Sequence, residues 1–167
     1  MTRNISIKDI SAIVTDFDGV LTDNKVYISS SNNEMVRCCR SDGLAFDALR
    51  KLRIKSFILS SESNSVVTRR AEKLKIPVLH GSLDKATDLK ALSKEHQFDL
   101  ESVIYVGNDI NDLAAMSLCG YRCCPSDSHP AIKNISTNVL GAPGGEGVIR
   151  ELVEQVLNIN LCKILYK

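Results

Sequence analysis

The chain has 167 residues, 44% of them hydrophobic and 25% charged, with a formal net charge of +1. A chain of this length reads as one domain over 1–167 that buries about two thirds of its unfolded surface. The near-neutral balance supplies no basic face for nucleic acid or an acidic membrane. No apolar run approaches the roughly 18 residues of a spanning helix and the N-terminus lacks a signal-peptide core, so no membrane is expected and the default location is cytoplasmic. The six cysteines are Cys38, Cys39, Cys119, Cys123, Cys124 and Cys162. None forms a CxxC and no histidine lies at zinc-like spacing, so they read as thiols acting as small hydrophobes.

In chain order, Ser11-Ala12-Ile13-Val14 is an apolar run with a β-branched pair, the pattern of a buried parallel strand. It runs into Thr15-Asp16-Phe17-Asp18-Gly19-Val20-Leu21-Thr22-Asp23, so two carboxylates two residues apart stand at its end. In an open α/β sheet that end is the ligand edge. Two acids held so close repel unless a cation lies between them or one keeps a proton; a divalent metal ion and a proton-transfer role would meet both demands. Residues 25–39 are two β-prone runs around a Ser/Asn turn, a hairpin (insertion about 24–40) that needs something to pack against. Asp42 then reads as the cap of a helix with Leu44, Phe46, Leu49 and Leu52 as its apolar stripe. A strand over 54–59 ends in Ser60-Ser61-Glu62-Ser63, and a helix is expected over 65–75. There follow a short strand at 77–79, a helix over 84–96, a buried strand at 102–106 ending in Gly107-Asn108-Asp109, a helix at 111–118, a strand at 121–124 and a helix at 129–134. After Gly144-Gly145-Glu146-Gly147 the spacing predicts a last helix over 148–157. Strands alternating with helices of this length specify an α/β fold, a Rossmann-like doubly wound parallel sheet with helices on both faces and a small β-hairpin after the first strand.

Asp16-Phe17-Asp18-Gly19-Val20-Leu21-Thr22-Asp23 resembles motif I of the haloacid dehalogenase superfamily, which is dominated by phosphotransferases. From about residue 10 to 159 the chain resembles the superfamily's small capless branch. That branch holds 3-deoxy-octulosonate 8-phosphate and nonulosonate (sialic-acid-type) 9-phosphate phosphatases, together with the phosphatase-like domain of some acylneuraminate cytidylyltransferases. Four motifs stand in the family's order. The resemblance makes Asp16 the nucleophile that forms an aspartyl-phosphate. It makes Asp18 the general acid for the leaving sugar and then the base for water, with Mg²⁺ neutralising the phosphoryl oxygens. Ser60 corresponds to the motif II hydroxyl that binds the phosphoryl group. Lys85, the motif III lysine, balances Asp16 and the phosphoryl charge from a helix start, where the dipole disfavours a cation. In motif IV, Gly107-Asn108-Asp109-Ile110-Asn111-Asp112, the chain departs from the commonest pattern. Asn108 stands where many relatives have an acid, and it offers a carbonyl oxygen without charge. The expected metal ligands are Asp16, the Asp18 carbonyl and Asn108, with Asp109 close behind and Asp112 orienting them from outside.

Substrate selection is assigned to residues after motif II. Glu62 would accept sugar hydroxyls, and Arg70 and Lys73, three apart on one helix face near Arg69, would hold a sugar-acid carboxylate. Gly145 would offer its amide to the anionic substrate. By resemblance the hairpin packs among four subunits, which implies a homotetramer whose sites are completed by neighbours. The reading is a phosphatase acting on a nonulosonate 9-phosphate, because the Leu-Ser-Ser-Glu and Arg-Arg-Ala-Glu-Lys-Leu-Lys stretches look closer to those enzymes. The alternatives are an octulosonate 8-phosphate phosphatase and a non-catalytic oligomerisation module.

Overall fold

The computed structural model describes residues 5–31 and 33–166; the sequence reading of the N-terminus at residues 1–4, and of Asn32 in the hairpin turn, lies outside them. Strands β1 (Ala12–Thr15), β4 (Lys55–Leu59) and β6 (Val103–Val106) form the centre of a six-stranded parallel sheet. Its order is β5-β4-β1-β6-β7-β8, with β5 Val78–Leu79, β7 Tyr121–Cys124 and β8 Asn138–Val139. Strands β2 (Thr22–Ile28) and β3 (Glu34–Cys38) pair antiparallel as a separate hairpin.

The strands are apolar at successive positions because both faces of the sheet are covered. Ile13, Ile58 and Ile104 point to one face, where they meet Phe46 and Leu49 of α1 (Ser41–Lys51), Val67 and Ala71 of α2 (Val66–Leu74), and Val148 and Ile149 of α6 (Val148–Glu151). Ala12, Val14, Phe57, Leu59 and Tyr105 point to the other. There Leu89 of α3 (Lys85–Glu95), Met116 of α4 (Leu113–Ser117) and Ile132 of α5 (Pro130–Ile135) cover them. The alternation follows from the two-residue repeat of a strand. The expected α/β sheet is therefore present, with helices on both faces.

Three local readings change. Asp42 does not cap α1: Arg40 occupies that position without a side-chain bond, and Asp42 sits buried in the first turn, where its Oδ1 accepts from the Arg150 amide at 2.9 Å. Leu44 is 38% exposed, and the buried stripe of α1 is Ala45, Phe46, Ala48 and Leu49, because the core meets the helix about one position away from the expected face. The last predicted helix keeps its apolar face but widens after α6 into a π-type turn over Leu152–Val156. Two elements had no sequence signal. Strand β8 is two residues long, and α7 (Leu161–Leu165), started by the Asn160 side chain accepting from Lys163, is only five.

Candidate active site

Thr15 pairs with Ile58 on one side and with Val106 on the other. Asp16 therefore emerges one residue beyond the sheet edge, with Ser60 and Asn108 two residues beyond their own strand partners. The register alone brings three of the four motifs to one edge. Gly19 bends the chain back at φ +77, and a Cβ there would come within 1.9 Å of Asn108 Nδ2, so only glycine lets the turn lie against Asn108. Thr22 ties that turn: its Oγ1 donates to Asp18 Oδ1 at 3.0 Å and accepts from the Gly19 and Asn24 amides, each at 3.2 Å.

Lys85 is the centre of charge. It begins α3 after Asp84, whose carboxylate accepts from the Ala86 and Thr87 amides and so supplies the anion that the helix start prefers. Lys85 is only 3% exposed, and its ammonium lies 2.8 Å from Asp16 Oδ2 and 2.8 Å from Asp112 Oδ1. Asp112 is wholly buried. Besides Lys85 it accepts from Tyr105 Oη at 3.0 Å and from the Asn108 and Asp109 amides at 2.9 and 3.4 Å. Sequence reasoning placed Asp112 behind the metal ligands and overlooked Tyr105; a tyrosine in an otherwise aliphatic buried strand was the available signal, since a buried hydroxyl needs a partner. Burial opposes the charge on Lys85, but Asp16 and Asp112 outweigh it and hold its pKa above the ordinary lysine value.

Two carboxylates against one ammonium leave one negative charge in excess. The Asp16 carboxyl is pushed up to about 8 by burial and then by Asp112, against the pull of Lys85, so without a further cation it takes up a proton at neutral pH. Asp18, half-buried, is also raised, first by burial and further by Glu62 and Glu34, while Thr22 works in the opposite direction. A depression of about 290 Å³ is lined by Asp16, Asp18, Asn108, Asp109 and the nearby Asn24 and Asn111. Asn108 Oδ1 is buried there without a hydrogen-bond partner. No group of three His, Cys, Asp or Glu side chains is clustered for a metal among the described residues, since Asn108 replaces one acid and Asp112 turns to Lys85. The available donors are all oxygens: the Asp16 carboxylate, the orphaned Asn108 carbonyl, and the Asp18 carbonyl, which accepts no hydrogen bond among the described residues. Hard oxygen donors beside an excess negative charge fit a Mg²⁺-type ion.

The other expected residues are placed as follows. Ser60 is buried; its Oγ accepts from the Glu62 amide at 3.1 Å, which leaves the hydroxyl proton available as a donor. Its neighbour Ser61 is exposed and accepts from Asn111 Nδ2 at 3.3 Å. Asp109 Oδ1 accepts from the Ile110 amide at 2.7 Å, so one of its oxygens is engaged in starting the turn Ile110–Asp112. Glu62 lies in the loop after β4 and accepts from the Asn64 amide at 2.7 Å. Arg70 and Lys73 line a different depression, of about 250 Å³ between α1 and α2, where Arg70 donates to the Cys39 carbonyl at 2.7 Å. The amides of Gly144 and Gly145 donate to Asp127 Oδ1 at 2.9 Å and to the Val20 carbonyl at 3.0 Å. Gly145, at φ +71 and pressed on the Thr22–Asp23 backbone, thus buttresses the motif I turn, and its amide is not offered to a ligand. Cys119 and Cys123 are buried, with thiols pushed up to about 12 by burial.

Comparison with known proteins gives a consistent result. A family model described as haloacid dehalogenase-like hydrolase matches residues 46–152. The chain is 30% identical over 152 residues to the 3-deoxy-D-manno-octulosonate 8-phosphate phosphatase KdsC of Haemophilus influenzae, covering 90% of this chain and 84% of that one. It is 27% identical to the N-acylneuraminate cytidylyltransferase A of Danio rerio over 89% of this chain but only 35% of that protein. Among solved structures, a HAD family hydrolase of Streptomyces avermitilis superposes with a TM-score of 0.92 at 42% identity, covering 96% and 92% of the two chains. The Moraxella catarrhalis 3-deoxy-D-manno-octulosonate 8-phosphate phosphatase, solved with a magnesium ion, a phosphate ion and KDO, superposes at 0.86 with 30% identity over 90% and 87%.

Proposed function

The chain belongs to the haloacid dehalogenase-like hydrolases and is a phosphoric monoester hydrolase, and on that premise we propose that it cleaves a keto-sugar-acid phosphate, with 3-deoxy-octulosonate 8-phosphate placed before a nonulosonate 9-phosphate. This reverses the order expected from the stretches after motif II. The relatives quoted by name as phosphatases act, by those names, on the octulosonate ester. The nonulosonate reading keeps two supports, Glu62 after Ser60-Ser61 and the likeness to a cytidylyltransferase for an acylneuraminate.

The observation that carries the mechanism is the Lys85 ammonium, buried 2.8 Å from both Asp16 and Asp112 beside the orphaned Asn108 oxygen. Lys85 fixes the Asp16 carboxylate, whose other oxygen is held by the Phe17 amide at 2.7 Å. Asp16 attacks phosphorus as the bond from phosphorus to the sugar oxygen breaks, giving an aspartyl-phosphate. Asp18, raised by burial and by Glu62 and Glu34, carries the proton that the leaving alkoxide takes. As a carboxylate it then removes a proton from water, whose oxygen attacks phosphorus and releases phosphate from Asp16. Ser60 donates its hydroxyl proton to a phosphoryl oxygen, and Lys85 offsets the charge that gathers there. Asp16, Asn108 and the Asp18 carbonyl, with Asp109 beside them, would hold Mg²⁺, which supplies charge neutralisation at the phosphoryl oxygens when bound. Glu62 is the candidate for the substrate's hydroxyls, whereas Arg70 and Lys73, expected to hold its carboxylate, line the separate depression between α1 and α2 and are not brought to Asp16 within this subunit. A homotetramer in the cytoplasm completes the reading. Its support is the hairpin, whose Val26, Tyr27, Ile28 and Met35 are 47%, 55%, 74% and 58% exposed.

Phosphate release from a panel of octulosonate and nonulosonate phosphates with Mg²⁺, for the wild type and Asp16→Asn, tests the reading. The octulosonate 8-phosphate should give the highest kcat/KM, and the variant should be inactive. Equal turnover by Asp16→Asn would remove the nucleophile.

A further inference from the structure

Asn64 is the junction between the hairpin and the loop after β4. Its side-chain carbonyl accepts from the Val66 amide at 3.0 Å at the start of α2, so its amide nitrogen must face the other way, and Nδ2 donates to Glu34 Oε2 of β3 at 2.7 Å. The inverse orientation would set NH₂ against an N–H and a carbonyl against a carboxylate, so the donor and acceptor inventory admits only this one. The backbone amide of the same residue holds Glu62 Oε1 at 2.7 Å. Glu34 and Asn64 line one wall of an open cleft between hairpin and α2, of about 560 Å³, and Glu34 and Glu62 are both near enough to act on the charge of Asp18. Glu62 Oε2 has no hydrogen-bond partner among the described residues.

We propose that Glu34 and Asn64 are positioning residues that set substrate selection: their hydrogen bond ties the hairpin to the loop after β4 and so holds Glu62 where its second oxygen accepts hydroxyls of a polyhydroxylated phosphate ester. The inference rests on the sugar-acid phosphatase reading above. It makes the hairpin a part of the specificity apparatus of its own subunit. A charge-assisted bond of this kind contributes more than a neutral one, and its direction can be inverted chemically.

The test is a swap. Asn64→Asp keeps the acceptor for the Val66 amide but sets a carboxylate against Glu34. Glu34→Gln added to it restores the bond with donor and acceptor exchanged. The reading is the ratio of kcat/KM on the sugar-acid phosphate to kcat/KM on p-nitrophenyl phosphate, which offers Glu62 no hydroxyl. Asn64→Asp should lower the ratio about tenfold through KM, and the double variant should recover most of it. An unchanged ratio, an equal loss on both substrates, or a double variant no better than the single overturns the inference. Wild-type turnover separates the two failures: no hydrolysis of either ester defeats the phosphatase reading and the inference with it, whereas turnover with an unchanged ratio defeats the inference alone.

Discussion

Replacing Asp16 by asparagine should stabilise the metal-free protein while abolishing turnover. Asp112 accepts from Lys85, from Tyr105 and from two amides, so its hydrogen-bond partners are fixed without Asp16. The Asp16 carboxyl is pushed from 3.8 up to about 8, chiefly by burial and then by Asp112, so the metal-free protein holds a proton there at neutral pH. Between those values the folded chain binds more protons than the unfolded one, so stability falls as pH rises through the window. At pH 7 the cost is about 4 kcal/mol, taking about 1.4 kcal/mol for each of roughly three pH units. Asparagine removes that cost and loses a charge-assisted bond to Lys85, worth about 1 kcal/mol or a little more. The variant should therefore be about 3 kcal/mol more stable than the wild type at pH 7, and less than about 1 kcal/mol more stable at pH 5. Urea unfolding in EDTA at the two pH values measures both. A variant less stable than the wild type at pH 7, or a gain that does not change with pH, would refute the charge argument.

Three further outcomes follow from the same geometry. Asn108→Asp adds a negative oxygen to the donor set, so the Mg²⁺ concentration for half-maximal activity should fall about tenfold, read by metal titration of the rate. Gly19→Ala puts a Cβ 1.9 Å from Asn108 Nδ2 at a backbone φ of +77; stability should drop by about 1–3 kcal/mol and the Mg²⁺ requirement should rise, both measurable on one preparation. Asp42, pushed up to about 6 by burial despite the Arg150 amide, has its second oxygen buried without a partner. Its folded pKa is raised, so its penalty is full above about pH 6 and gone below 3.8. Asp42→Asn keeps the acceptor, and with a penalty of about 3 kcal/mol removed and about 1 kcal/mol of hydrogen bonding lost it should raise stability by about 2 kcal/mol at pH 7 and change it little at pH 4, by denaturant titration.

The legible features are those whose cause is local. Apolar runs of three and four residues mark β1 and β6 because both faces of those strands are covered, and the paired aspartates at 16 and 18 declare the ligand edge as soon as a strand is recognised before them. Lys85 is legible as the motif III lysine by resemblance, its opening a helix against the dipole being only a weak local sign; the structure adds the Asp84 cap that makes the start tolerable. Features that were missed or misread have distant causes. Asp42 reads as a cap by its type and place, yet its carboxylate serves the Arg150 amide, 108 residues away. Gly145 reads as a ligand-facing amide, yet that amide is bonded to Val20. The strand β8 and the helix α7 are too short for any periodicity to show.

What this sequence determined by itself is the alternation of elements and the chemical type at each strand end, since side-chain periodicity and backbone preference act over a few residues. The tertiary structure decided the electrostatics. Asp112 is saturated by Lys85, Tyr105 and two amides, and the Asp16 carboxyl is raised, because the β1–β6 register and the entry of α3 bring Lys85, Tyr105 and both carboxylates into one dry volume. In that low dielectric the balance of charge depends on which side chains converge, and convergence across 27 residues of chain between Lys85 and Asp112 is a property of the packed sheet.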